Sequence, residues 1–327
     1  MSCRVRLARN IAGFPFVNHA SESQCGELLR TARQVLLALP EKGMMWVDLQ
    51  ASTARDRRLL VERHLISKNM DESSAPGGCR AVAISQDETF AVMVNEEDHL
   101  RMQVLSPGLE LESALQSIND LDDAIETKLD YAFSPRWGYL TACPTNVGTG
   151  IRFSVMLHLP ALKITNEIER VRRAARDLHL AVRGYYGEGS DSAGDFYQIS
   201  NQVTLGKTEE ELLEDFQDNI IPQIIDYEHQ ARRVLAQRNE ALLDDRTHRA
   251  LAVLRSARLL GLEEAMKLLS RVRLGVLMQR LDGVQLATIN QLFLQVQPAH
   301  LQTCASGETN PDELREARAA LVRNALT

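Results

Sequence analysis

The chain has 327 residues, 44% of them hydrophobic, enough to bury one large core or two modest ones, and two domains is the better expectation at this length. A formal net charge of −7 argues against a surface built to coat nucleic acid, and no apolar run reaches the roughly 18 residues that a membrane span needs. Five cysteines, odd in number and without a C-x-x-C pair, argue against a disulfide framework or a zinc site; with no secretory leader read ahead of Arg4, the expected location is cytoplasmic.

In chain order, Ser2 to Asn10 alternates polar and apolar, so an extended strand places Arg4 and Arg6 on one face and Val5 and Leu7 on the other. Two guanidiniums side by side repel unless an anion lies between them, and a solvated edge strand is the equally weighted alternative. The chain enters this strand almost at its first residue, so whatever would precede such a strand is expected to be missing. Lysine occurs only at Lys42, Lys68, Lys128, Lys163, Lys207 and Lys267. High-GC codon usage is one cause of such an arginine bias, and fork-like recognition of phosphate and carboxylate is another.

Residues 21–39 and 51–68 carry helical spacing and read as cover for a sheet. Ala81 to Ser85 and Thr89 to Asn95 read as two strands joined by the polar turn Gln86-Asp87-Glu88, an antiparallel hairpin. The cluster Asn95-Glu96-Glu97-Asp98-His99-Leu100-Arg101 therefore follows a strand end, where a rigid sheet can aim it. Leu109, Leu111, Leu115, Ile118, Leu121, Ile125 and Leu129 mark an amphipathic helix over 108–130. Trp137 to Thr141 leads into the turn Cys143-Pro144-Thr145-Asn146-Val147-Gly148-Thr149-Gly150. A strand from Ile151 follows, with Arg152, Ser154, Met156 and His158 opposite its apolar face. These two polar clusters read as a site for a cation and a phosphate.

A helix is expected from about Asn166, capped by that residue with Glu169 three positions on. Arg183 to Ser190 holds three glycines and a single carboxylate, Glu188, and describes a loop able to close over something. Phe196 to Val203 gives a last strand, and Thr208 with Glu211 a capping box that starts a long helix. From about residue 236 the spacing is helical throughout. The expected division is a domain over 1–235 and an all-α domain over 236–327. His99 and His158 read as buried, hydrogen-bonded histidines.

Together these islands are more specific than any one alone. Arg4-Val5-Arg6, the Asn95 to Arg101 cluster, the Cys143 to Gly150 turn and Arg183-x-x-x-x-Glu188 occur in this order in the ATP:guanido phosphotransferases, the family of creatine and arginine kinases, which the chain resembles. Gly138-Tyr139-Leu140-Thr141 and Ile199 to Lys207 look like its bacterial branch, the McsB-type protein-arginine kinases. The resemblance is dense over residues 2–215 and looser in the helical tail. It implies an α+β fold in which a curved antiparallel sheet flanked by helices forms the catalytic domain, followed by the C-terminal all-α domain.

The resemblance also implies the site. Arg4, Arg6, Arg101, Arg152 and Arg183 would hold the nucleotide phosphates, Glu97 would be the catalytic base, and Glu188 the second carboxylate of a clamp on the acceptor guanidinium. Cys143 would be the reactive thiol beside that guanidinium, held as thiolate by nearby positive charge; on its own, a Cys before Pro in a Gly/Thr turn reads more readily as structural. ATP and Mg2+ are the implied cofactors, the metal held mainly through ATP oxygens and water with no dedicated protein cage. Implied partners are proteins presenting arginine, Clp-type unfoldase or protease machinery in stress response, an activator protein, and a second copy in a homodimer, but no nucleic acid or membrane. A free-arginine kinase and a catalytically weak phosphoarginine-binding regulator are the alternatives.

Departures bear on that reading. Metabolic guanidino kinases carry a helical domain before the Arg-x-Arg strand, and an acceptor site uncovered there suits an arginine on a protein chain; the near start at Met1 is expected to loosen the nucleotide pocket. Thr204 stands where creatine and arginine kinases have a further phosphate-binding arginine. Leu314-Arg315-Glu316-Ala317-Arg318-Ala319 keeps only the last two residues of the branch's phosphoarginine-binding Arg-Asp-x-x-Arg-Ala element, so activation by that route is not expected and helix packing is the simpler role.

Overall fold

The computed structural model describes residues 2–39, 43–71, 78–185, 193–303 and 310–327. The elements run β1 (Ser2–Arg9), α1 (Glu22–Leu37), β2 (Met45–Asp48), α2 (Ala54–Glu62), α3 (Lys68–Asp71), β3 (Ala81–Ile84), β4 (Phe90–Val94), β5 (Leu100–Pro107), α4 (Leu111–Glu126), β6 (Phe133–Ser134), β7 (Gly138–Tyr139) and β8 (Ile151–His158). They continue with α5 (Pro160–Ile164), α6 (Ile168–Asp177), β9 (Leu180–Arg183), β10 (Phe196–Asn201), α7 (Glu209–Glu214), α8 (Ile221–Arg238), α9 (Glu240–Ser256), α10 (Leu262–Leu277), α11 (Leu286–Gln295), α12 (Pro298–Thr303) and α13 (Pro311–Leu326). An antiparallel sheet of eight strands has the order β2-β3-β4-β5-β1-β8-β10-β9, and β6 and β7 form a small separate ribbon. Among the described residues no helix is long and apolar enough to cross a membrane.

The chain divides into two compact units that interleave in sequence: Met1–Met156, Ala175–Ala181 and Ile199–Pro222 in the first, and Leu157–Ala174, Val182–Gln198 and Gln223–Thr327 in the second. In the first unit β1 lies inside the sheet, between β5 and β8, which removes the edge-strand alternative. Its Val5 and Leu7 face Val104, Met102, Phe153 and Ile151 across both ladders, all essentially buried. The α4 helix packs on β1 and β5 with Leu111, Ala114, Ile118, Leu121 and Ile125 buried at helical spacing. Each buried leucine or isoleucine there contributes about 1.5–3 kcal/mol on leaving water. The β3–β4 hairpin forms as expected, with Ala81 opposite Val94, and α1 covers β2 and β3 through a face that buries Leu28, Ala32 and Leu36.

Two helices differ from the sequence reading. The 51–68 stretch breaks after α2, where His64 takes a left-handed φ of 60°, and α3 is a separate single turn. Asn166 does not cap α6. It has φ 59° and closes α5 in a Schellman arrangement, with Asn166 N donating to Lys163 O at 3.2 Å and Glu167 N to Leu162 O at 2.8 Å, and α6 starts only at Ile168. The Thr208–Glu211 capping box is present, and the helix it starts passes through a π-helical turn at Asp215–Ile220 before α8.

In the second unit α9, α10, α11 and α13 enclose a core that includes Leu254, Met266, Leu269, Val272, Ile289, Leu292, Phe293 and Val322. Arg318, only 3% exposed, donates from Nε to Val296 O at 2.8 Å and from Nη1 to Leu260 O at 2.9 Å. It thereby ties α13 to a carbonyl at the end of α11 and another ahead of α10.

Candidate active site

Register alone collects the cations of the first unit. Arg6 lies directly opposite Gln103 of β5 and Arg152 of β8, Arg4 opposite Ser154, and Arg101 opposite Ala8. Residues directly opposite share a face, and alternate residues along β1 return to it, so Arg4, Arg6, Arg101 and Arg152 stand on one face with Val5 and Leu7 behind them. Arg6 is 8% exposed. Like charges directly opposite one another destabilise a sheet, and an anion between Arg6 and Arg152 offsets that cost.

His64 borders this face. Gln103 Nε2 donates to its carbonyl at 2.8 Å, and its half-buried imidazole is pushed down to about 4, by burial first and by the Arg4 guanidinium second, so it is neutral at pH 7.

The acidic cluster is a tight turn between β4 and β5, closed by Asn95 N donating to His99 O at 3.0 Å with Asn95 at φ 57°. Each member of the turn does something different. The Nδ2 of Asn95 donates to Cys79 O and Cys25 O. Glu96, 4% exposed, accepts Arg101 Nη1 at 2.5 Å, Ser67 Oγ at 2.7 Å and Glu97 N at 2.9 Å. Burial pushes its carboxyl up, but the Arg101 ion pair and these bonds outweigh it and hold the group near 2. Asp98 accepts Asn10 Nδ2 at 2.6 Å and Ala142 N at 2.7 Å, while burial pushes its carboxyl up. His99 accepts Ile11 N on Nδ1 at 2.9 Å and donates from Nε2 to Pro15 O at 2.9 Å, which fixes the neutral tautomer that burial already favours.

Glu97 is the member left exposed. Its carboxyl is raised above the usual 4.5, by burial first and then by Asp98 and Glu96, with Arg101 and Arg152 pulling the other way. Geometry places Glu97 beside the arginine face: its N–H donates at 2.9 Å to Glu96 Oε2, the same oxygen that accepts Arg101 Nη1.

Asp98 carries the acidic turn to the cysteine turn, since its bond to Ala142 N lies one residue before Cys143. Cys143 opens a short 3-10 turn over Pro144–Asn146 and its Sγ lies 3.0 Å from Thr145 Oγ1. Asn146 Oδ1 accepts Arg152 Nη2 at 2.9 Å, so the same turn orients one of the four arginines. The turn is braced from below by Arg9, whose Nη1 donates to Thr149 O at 2.8 Å while Nη2 pairs with Asp122 at 2.6 Å. The guanidinium carbon of Arg9 lies 3.5 Å from the ring centre of Tyr139. Gly150 needs its φ of 70°, and a Cβ there would meet Ala8 O at 2.7 Å.

The structure therefore brings together Arg4, Arg6, Arg101, Arg152, Glu97 and Cys143 within the first unit. Arg183 ends β9 in the second unit, and Glu188 lies outside the described residues. His158 is buried in the second unit between Ser270 Oγ at 2.9 Å and Arg273 Nη1 at 2.8 Å, consistent with a structural histidine. Among the described residues no cluster of His, Cys, Asp or Glu is arranged to hold a metal ion. Sequence reasoning did not single out Asn10, Ser67, Glu96, Asp98 or Asn146 as orienting groups. Glu96, Asp98 and Asn146 lie inside the recognised motifs and Asn10 shortly after Arg4-Val5-Arg6, whereas no local pattern marks Ser67.

Residues 27–231 match the family model of the ATP:guanido phosphotransferase C-terminal catalytic domain, and residues 240–327 that of the protein-arginine kinase McsB C-terminal domain. The protein-arginine kinase of Halothermothrix orenii is 43% identical over 329 residues, spanning 100% of this chain and 92% of the relative. That of Symbiobacterium thermophilum is 45% identical over 332 residues, with 100% and 93% covered, and that of Bacillus subtilis 41% over 329, with 100% and 89% covered. Among solved structures, a duplicated taurocyamine kinase from Schistosoma mansoni with bound transition-state analogue components matches at TM-score 0.63 and 28% identity, over 70% of this chain and 33% of that one. A lombricine kinase matches at TM-score 0.61 and 27% identity, over 70% of this chain and 65% of that one.

Proposed function

This chain belongs to the ATP:guanido phosphotransferases, and on that premise we propose that it transfers the γ-phosphoryl group of ATP to the guanidino group of arginine side chains in proteins. The observation that carries the reading is the four-arginine face with the exposed Glu97 beside it. A nucleotide triphosphate supplies the negative charge that Arg6 and Arg152, set opposite each other, call for. Phosphoryl transfer asks for positioning and charge stabilisation rather than covalent chemistry, and both are what such a face offers.

The acceptor is the harder problem. An arginine guanidinium has a pKa above about 12 and a delocalised lone pair, so a carboxylate must fix its plane and take a proton as the N–P bond forms. Glu97 is the base in this reading, and the raised affinity of its carboxyl for a proton makes it a better base than an ordinary carboxylate. Glu96 cannot share the task, because Arg101 and Ser67 hold it as a bonded anion. In this reading Cys143 orients the acceptor, and Glu188 is assigned as the second carboxylate from sequence alone. Magnesium, when bound, neutralises phosphate charge and is held mainly through ATP oxygens and water. Arg183, at the end of β9, is assigned to the phosphates from the sequence resemblance alone. The helical C-terminal domain serves dimerisation or regulation, and the products mark proteins in stress response for Clp-type degradation.

The test is a mass-spectrometric assay for acid-labile phosphoarginine after incubation with magnesium ATP and either a casein-like protein or free arginine. Phosphoarginine on the protein is the expected result. Product on free arginine alone would reassign the acceptor, and no product with either would overturn the reading.

A further inference from the structure

Thr204 lies in a loop after β10, belongs to the first unit and is 2% exposed. Its hydroxyl is aimed at backbone, with Oγ1 donating to Val147 O at 2.7 Å and to Thr145 O at 3.1 Å. One proton is thus shared by two carbonyls on either side of Asn146. Within the turn, Asn146 N bonds Cys143 O at 3.0 Å and Val147 N reaches Pro144 O only at 3.4 Å; its ends are held by Thr141 Oγ1 donating to Cys143 O at 2.8 Å and by Tyr139 N donating to Gly148 O at 2.8 Å, while the carbonyls of Thr145 and Val147 in its middle are bonded by Thr204. The approach is close enough to exclude any side chain at Gly148, where a Cβ would come within 2.8 Å of Thr204 O at a φ of 112°.

The residues held in this way face the chemistry. Thr145 carries the hydroxyl 3.0 Å from Cys143 Sγ, and Asn146 accepts Arg152 Nη2 at 2.9 Å. We propose that Thr204 is a positioning residue of the phosphoryl-transfer site: its hydroxyl clamps the Cys143–Val147 turn and so sets the acceptor-side thiol and the phosphate-side Arg152 together. This rests on the function proposed above. A valine of nearly the same shape at 204 leaves both carbonyls without their donor, and the turn is free to shift by an amount that matters to in-line transfer.

The experiment compares T204V, T204A and T204S with the wild type in the full chain. Three quantities are read: kcat and KM for ATP and for a casein-like protein, the rate of Cys143 alkylation by iodoacetamide followed on its own peptide, and the melting temperature. With T204V, kcat/KM is expected to fall roughly ten- to hundredfold. The alkylation rate of Cys143 changes in the same variant, and T204S restores both. If T204V does not fold, the contrast of T204A with T204S isolates the hydroxyl. Wild-type turnover with an unchanged alkylation rate in T204V, or T204S as impaired as T204V or T204A, would overturn the proposal. Inactivity of the wild type would defeat the functional reading instead, while the alkylation arm still tests the clamp.

Discussion

Each unit buries a histidine inside a polar network, and the two networks end differently. In the second unit Lys163 pairs with Asp195, Asp195 Oδ2 accepts Ser270 Oγ at 2.5 Å, Ser270 meets His158, His158 meets Arg273, and Arg273 Nε donates to Asn290 at 3.0 Å. That chain alternates donors and acceptors along its length. In the first unit His99, Asn10, Asp98 and Glu96 are hydrogen-bonded to one another and to their neighbours, but their bonds serve to hold up an exposed carboxylate and a face of arginines. A buried polar network is a scaffold in both cases. What distinguishes the site is the charge it presents outward.

The largest effect expected from that difference is at Glu97. E97Q should reduce phosphoarginine formation by roughly 10²–10⁴-fold while ATP still raises the melting temperature, because the base is lost and the arginine face is not. E188Q should do likewise if the clamp is two-sided, and full activity in both variants would remove the clamp. In the wild type, since the base works deprotonated and its carboxyl is raised, the acid limb of the pH–rate profile should lie above the ordinary 4.5, with activity falling as pH drops through it.

Next comes R6Q. Removing one of two opposed guanidiniums should weaken ATP binding by roughly tenfold or more, as for a charge-assisted hydrogen bond. Calorimetry that finds unchanged affinity would detach the face from the phosphates. S270A sharpens the comparison from the other side. It strips a partner from Asp195 and from His158, and should cost about 1–3 kcal/mol of stability with kcat unchanged. A fall in kcat at retained fold would make the second network part of the machinery.

The smallest effect is at His64, which NMR titration should find neutral down to about pH 4. A histidine depressed below its unfolded 6.5 contributes stability that is present above that pH and lost as pH falls toward 4. R4Q should raise its pKa by removing the nearby cation.

Much of this was legible from one dimension. Alternation in Ser2 to Arg9 gave the two faces of β1, and the Gln86–Glu88 turn gave the hairpin that aims the acids. The place of β1 inside the sheet was not legible, since an inner and an edge strand share one alternation when only one face is apolar. Nor was the pairing of Glu96 with Arg101, which needs the left-handed Asn95 to close the turn. Bonds such as Asn10 to Asp98 and Asp98 to Ala142 join segments with no local pattern in common. Asn166 misled for a specific reason. Asparagine both caps a helix start and tolerates the left-handed end of the helix before it, and Asn-x-x-Glu cannot say which use wins.

The inner position of β1 has a kinetic consequence. Its ladder partners lie roughly 100 and 150 residues downstream, so the middle of the sheet closes through two long loops, the slow kind of contact to form. A chain that has made only its β3–β4 hairpin and its helices has no arginine face at all. On the proposed function, phosphate recognition is acquired in the step that commits the sheet, and a nucleotide recognises only chains that have passed it.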